Sequence, residues 1–282
     1  MAETPTTATR PALKAAMVPL SAADIDGPSY LRMLVLGFSK AGKSTQVIST
    51  SPGPVYVINS DQPEALVPVT RFCTDFLHNY VVSTKAMNEA IELARQLVKE
   101  GQVQTVVWDT ISGFSPYLEA EAFASTLTKE GKEDGRKAWP VYRKIIRSTL
   151  TRLFKLKAHV IVISHYLDVG GAPDEEKTGV AKTGQGIVPM LGGASRAEVG
   201  GMFQDVVFME KQLTGPGKEE RFFVTGIDGV YGPGCRSVNG NKIMPADVGA
   251  FLKAMAADMA SRKKTVAPKA MSNGAARPAV AR

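Results

Sequence analysis

The sequence predicts an α/β fold: a mostly parallel central sheet flanked by helices, with an antiparallel hairpin at its edge. Three observations carry this reading. Apolar, β-branched runs recur at 33–36, 55–58, 80–82, 105–108 and 160–163, and near-continuous runs of this length mark strands covered on both faces. Helically spaced apolar residues lie between them, and such alternation implies parallel strands joined by right-handed crossovers. Two last runs, 205–209 and 221–224, are joined through Thr-Gly-Pro-Gly-Lys and read as the hairpin.

Each further element has its own signature. Met87, Ala90, Ile91, Ala94, Leu97 and Val98 share one helical face, with Ser83 or Thr84 to cap the start and Gly101 the end. Between 139 and 157 a second stripe runs through Tyr142, Ile145, Ile146, Thr149, Leu150, Leu153 and Phe154. Eight Arg or Lys and no acid stand between Arg136 and Lys157; a solvated face, a nucleic-acid groove and a subunit interface all fit such a run. Residues 168–186 read as a long flexible loop, a feature that inside a compact domain is functional or disordered. Residues 1–28, rich in Thr, Ala and Pro, read as a flexible arm, 29–258 as one domain, and 259–282 as a basic disordered tail.

Composition narrows the function. The net charge is +7, and Arg262, Lys263, Lys264, Lys269, Arg277 and Arg282 supply six charges in a stretch without acids. Such a tail either solubilises the chain or leans on a polyanion. Two widely separated cysteines and three scattered histidines argue against a zinc site or a disulfide framework. No apolar run reaches the ~18 residues of a membrane span, and the N-terminus lacks a signal-peptide apolar core. The expectation is a cytoplasmic protein with no membrane partner.

The most informative stretch is Gly-Phe-Ser-Lys-Ala-Gly-Lys-Ser, residues 37–44. It fits the P-loop pattern G-x-x-x-x-G-K-[ST], and it follows an apolar strand and opens a helix, as the motif requires. Gly37 and Gly42 let the backbone turn tightly and approach a phosphate. The N–H groups of Phe38, Ser39, Lys40 and Ala41, with those of the helix start through Thr45, form an anion nest. Lys43 reaches the β- and γ-phosphates, and the Ser44 hydroxyl ligates Mg²⁺. ATP and Mg²⁺ are therefore the expected ligands.

A second metal-side acid is expected from Thr-Val-Val-Trp-Asp, where Asp109 ends a strand beside the P-loop. The residue after Asp109 is Thr110, whereas many ring ATPases place their water-activating carboxylate there. Asp61, just past the second run, is the candidate for that role, with a turn or helix-cap Asp as the plainer reading. Ser164 and His165 end another buried strand; His165 is a candidate γ-phosphate sensor able to switch the following loop.

Together these segments resemble the RecA-like P-loop ATPases. "GFSKAGKST", "VINSD", "VVWDTISGF" and "VIVISHY" stand in that family's order, ahead of a long Gly-rich loop, and the likeness spans about Tyr30 to Met255. It extends to a compact phage-encoded group, some of whose members are described as single-strand annealing or recombination proteins. "DGRKAWPVYRKIIRSTLTRL" and "PMLGGASRAEVGGMFQDVVFME" look like that group's helix and post-loop region. The resemblance implies that Asp61 stands in for a catalytic Glu and His165 for a polar sensor. Arg196 or Arg236 would complete a neighbouring subunit's site in a ring or filament. Lys177 and Lys182, in the long loop, would contact DNA, although Asp174, Glu175 and Glu176 work against uniform affinity. The function implied is an ATP-binding and ATP-hydrolysing protein that binds single-stranded DNA and assists annealing or homologous recombination. A single-strand binding protein is a possible partner, and the location implied for a phage product is the host cytoplasm. Two alternatives stand beside it: a nucleotide-gated assembly protein with little turnover, and a P-loop kinase.

Overall fold

The computed structural model describes residues 30–168, 185–215, 218–226, 230–231, 234–238 and 243–265. Its core is a sheet built from β1 (Arg32–Gly37), β2 (Val55–Asn59), β3 (Phe76–Tyr80), β4 (Thr105–Asp109), β5 (His159–Ile163), β8 (Asp205–Gly215), β9 (Lys218–Val224), β11 (Gly234–Cys235) and β12 (Ile243–Pro245). A smaller sheet holds β6 (Tyr166–Asp168), β7 (Gln185–Pro189) and β10 (Val230–Tyr231). The helices are α1 (Lys43–Thr50), α2 (Thr84–Lys99), α3 (Ile111–Ala124), α4 (Gly135–Phe154), α5 (Ser195–Met202) and α6 (Val248–Thr265).

The main sheet runs β12-β9-β8-β1-β5-β4-β2-β3, with β11 also paired to β8. From β8 to β3 every neighbour is parallel, while the β8–β9 hairpin and its neighbour β12 are antiparallel. The expected mixed sheet is present. Its outermost strand on the hairpin side is β12, one place beyond the predicted edge.

Alternation along β1 explains why its sequence is apolar throughout. Leu34 and Leu36 face a core shared with Tyr56, Ile58, Trp108, Leu118, Tyr142 and Leu150. Met33 and Val35 face a second core with Val47, Val57, Ile161, Phe223 and Phe251. Each fully buried Leu, Ile or Val contributes about 1.5–3 kcal/mol, so neither face tolerates polar side chains.

The strand predicted at 80–82 lies instead at Phe76–Tyr80. It is an edge strand paired only with β2 and its residues are mostly exposed, so it lacks the buried-run signature. Helix α2 starts as expected, Ser83 Oγ accepting from the Ala86 N–H at 3.1 Å. Helix α4 begins four residues before the predicted 139, because Asp134 caps it by accepting from the Arg136 N–H at 3.1 Å. Its C-terminal end is held by Arg32, which donates to the carbonyls of Phe154, Leu156 and Ala158 at 2.8, 2.7 and 2.5 Å. Burial lowers that guanidinium to about 10, and it satisfies carbonyls that a helix end leaves without partners.

The predicted loop 168–186 is entered and left by β6 and β7, which pair antiparallel from Tyr166↔Pro189 to Asp168↔Ile187; its interior, with Lys177 and Lys182, lies outside the described residues. The boundary expected between 258 and 259 falls inside α6, which continues to Thr265. Among the described residues no helix is long and apolar enough to cross a membrane.

Candidate nucleotide site

The P-loop connects β1 to α1, as its sequence requires. Lys40 (φ 61) and Gly42 (φ 87) both take left-handed backbone, the kind of turn that aims successive N–H groups inward. Gly42 permits this without strain, and a Cβ there would meet Arg221 Nε at 2.6 Å. A Cβ on Gly37 would meet the Met209 carbonyl oxygen at 2.9 Å. No side chain caps the start of α1, so its first N–H groups are available to an anion.

Lys43 is buried, 5 % exposed. Its ammonium donates to the carbonyls of Gly37 (3.0 Å) and Phe38 (2.7 Å), and its nitrogen stands 3.4 Å from His165 Nδ1. Burial lowers its pKa to about 8, opposed by the charges of Asp109 and Asp61. An ammonium has three protons to give. Two go to the loop's own carbonyls, and the third is directed outward at His165.

Asp109 ends β4 and is 1 % exposed. Neither carboxylate oxygen has a hydrogen-bond partner of proper geometry. Burial raises its pKa to about 6, and Asp61 adds to this, while the adjacent Ser44 hydroxyl and the Lys43 charge pull it down. A buried carboxylate without partners is costly unless a cation completes it. Among the described residues no cluster of three His, Cys, Asp or Glu would hold a metal alone. Ser44 and Asp109 offer two oxygen ligands, suited to Mg²⁺, which takes the rest of its shell from phosphate and water.

Asp61 follows β2. Its N–H donates to Asn59 Oδ1 at 3.0 Å, and its own Oδ1 accepts from the Gln62 N–H at 3.0 Å. Its charge is felt at Lys43, Asp109 and His165, so it faces the same space. Trp108 fixes the spacing of the two strand ends by donating its indole N–H to Ser60 Oγ at 2.9 Å. His165 follows β5, and its backbone N–H donates to Ser112 Oγ at 3.0 Å. Burial, then the Lys43 charge, lowers its pKa. A Nδ1 that accepts from the ammonium leaves the ring proton to Nε2, and both causes of the shift favour the neutral ring.

The structure thus brings Lys43, Ser44, Asp61, Asp109 and His165 to one end of the parallel strands. This arrangement, behind a strand–loop–helix with the P-loop sequence, decides the family. The match to the family described as AAA domain covers residues 29–227, 199 of 282. The chain belongs to the AAA domain family. No curated protein matches it. The AAA domain is a P-loop nucleotide-binding unit.

Arg196 and Arg236 are brought together away from the P-loop, Arg236 nine residues beyond the matched span. They line a cavity of about 330 Å³ with Leu36, Val188, Gln204 and Cys235, and no P-loop loop residue borders it. Arg196 Nε donates to the Gly193 carbonyl at 2.9 Å.

Two features escaped sequence reasoning. Arg221, on β9, donates its Nε–H to the Ala41 carbonyl at 2.9 Å and packs on Gly42, supplying a cation to the P-loop within the same chain. Only the hairpin's place in the sheet puts it there, and no motif announces it. Phe38, at the tip of the P-loop, stacks edge-on against Tyr166 at 4.8 Å, and Tyr166 against Phe208 at 5.2 Å. Tyr166 opens β6, so the P-loop touches the base of the β6–β7 hairpin.

Proposed function

We propose that this AAA domain hydrolyses ATP, uses the nucleotide state to set its grip on single-stranded DNA, and assists annealing or recombination as a homo-oligomeric ring or filament. The observation that carries the reading is the buried, partnerless Asp109 carboxylate beside Ser44 and Lys43. Held between Ser44 and Asp109, magnesium would supply charge neutralisation to the phosphates. Lys43 and the uncapped start of α1 bind and orient the phosphate chain.

Hydrolysis in this reading is a displacement. A water oxygen forms a bond to the γ-phosphorus, the bond from that phosphorus to the β–γ bridging oxygen breaks, and Asp61 takes the water's proton. His165, facing Lys43, senses whether a γ-phosphate stands between them. Its backbone leads directly into β6, and Phe38 on Tyr166 adds a second link. Both feed the segment 169–184, where Lys177 and Lys182 are the DNA contacts of the proposal. Arg196 and Arg236, on another face, are the cations offered to a neighbouring subunit. The basic tail is the contact for DNA or a single-strand binding protein.

One observation favours the slower reading, a nucleotide-gated assembly protein. Asp61 is a short acid, and one of its oxygens is engaged by the Gln62 N–H. Steady-state phosphate release with and without single-stranded DNA, read beside solution mass, separates the two. DNA-stimulated turnover supports the ATPase, and nucleotide-dependent assembly without turnover supports the switch.

A further inference from the structure

Charge is distributed very unevenly in this chain. Of a net +7, six cations stand in the acid-free tail and eight in the acid-free segment Arg136–Lys157, which leaves −7 on everything else. That segment is α4 and the three residues beyond it. Its apolar side, Tyr142, Ile146, Leu150 and Leu153, is spent in the core.

The two borders of the outer face are tied down by acids. Arg143 pairs with Glu198 of α5 at 3.1 Å, and Arg152 with Glu92 of α2 at 2.8 Å. Between these borders, at about 100° per residue, Lys137, Lys144 and Lys155 project within about 20° of one another, with Arg147 about 60° to one side. All four are exposed. Lys137 meets Asp134 at 3.3 Å, whereas Lys144, Arg147 and Lys155 have no ion pair among the described residues. At 1.5 Å per residue the row is about 27 Å long. The positions between its cations are Pro140, Ser148 and Thr151.

We infer that the exposed row on α4 is a binding surface for the phosphodiester backbone of a nucleic acid. A row of cations along one helix and its C-cap, three of them without an ion pair among the described residues, in a body otherwise net negative, matches a partner with evenly repeated negative charge. A membrane surface fits less well, because the helix keeps no apolar side chains outside to insert. The row carries no aromatic residue, so it grips the backbone and reads no bases. The inference rests on the nucleic-acid half of the proposed function and extends it to a surface other than residues 169–184, and it needs no nucleotide.

The test uses the full chain and fluorescence anisotropy with a labelled single-stranded oligonucleotide and its duplex, without nucleotide, across a salt series. Each phosphate neutralised on a single strand contributes about −0.7 to the slope of log K against log salt. The triple substitution K144E/R147E/K155E is expected to flatten that slope by about 2 and weaken binding at low salt by roughly tenfold or more. ATP binding and the thermal midpoint stay as in the parent chain. The neutral K144Q/R147Q/K155Q variant is expected to give the same flattening without charge reversal. An unchanged slope and affinity in a folded variant overturns the proposal. So does a row that responds only to anionic vesicles, or whose reversal changes only the solution mass. Because no nucleotide is present, a failed P-loop leaves this result untouched and shows instead as lost phosphate release.

Discussion

Replacing Asp109 by Asn should make the protein more stable. The carboxylate is 1 % exposed, without a hydrogen-bond partner, and burial raises its pKa from 3.8 to about 6. A raised carboxylate pKa means that the folded state penalises the ionised form. The penalty is absent well below 3.8, grows as pH rises between the two values, and is complete above about 6. At about 1.36 kcal/mol per pH unit the full cost is about 3 kcal/mol, and only a small part of it remains at pH 4. Asn keeps the shape and removes the charge. Denaturant unfolding at pH 7 and pH 4, without nucleotide or metal, should show D109N ahead by about 3 kcal/mol at the higher pH and nearly level at the lower one. Adding Mg²⁺ and ATP should then stabilise the parent chain and leave D109N almost unmoved, since the charge that costs stability in the free protein is the one that holds the metal. A variant no more stable at pH 7, or a gap that does not close on acidification, would refute the reading of Asp109 as a charge waiting for a cation.

Lys43 is held at about 8 by burial, and phosphate binding uses its charged form. Calorimetric ATP affinity should therefore be level from about pH 7 to 7.5 and fall more than tenfold by pH 9.5; no fall over that range would remove Lys43 from phosphate binding. Asp61→Asn should retain ATP binding and stop phosphate release, and unchanged turnover would free Asp61 of its role. Arg221→Ala removes the bond to the Ala41 carbonyl and should weaken ATP binding by about 1 kcal/mol, roughly fivefold in Kd, with little change in the unfolding midpoint. Equal affinity would show that the P-loop holds its shape without β9.

The sequence alone determined the parts of this protein that rest on local rules. A P-loop is legible because a tight anion-binding turn restricts residue type at each position, and the buried strands because two covered faces permit only apolar side chains. Asp109 was legible for the same reason, as a polar residue ending such a strand. Exposed elements carried no comparable constraint. The edge strand at Phe76–Tyr80 carries no apolar signature because solvent permits almost any residue there, and the cap at Asp134 lies in a polar stretch ahead of the apolar stripe, which no periodicity marks. Tertiary structure alone decided which distant residues meet. Lys43 and His165 stand 3.4 Å apart because β1 and β5 are neighbours in the sheet. Arg221 reaches the P-loop because the hairpin folds back beside β1 through β8, and Arg196 joins Arg236 at one cavity. Strand order is set by the summed packing of the whole sheet, and no short stretch of chain encodes a sum over the rest.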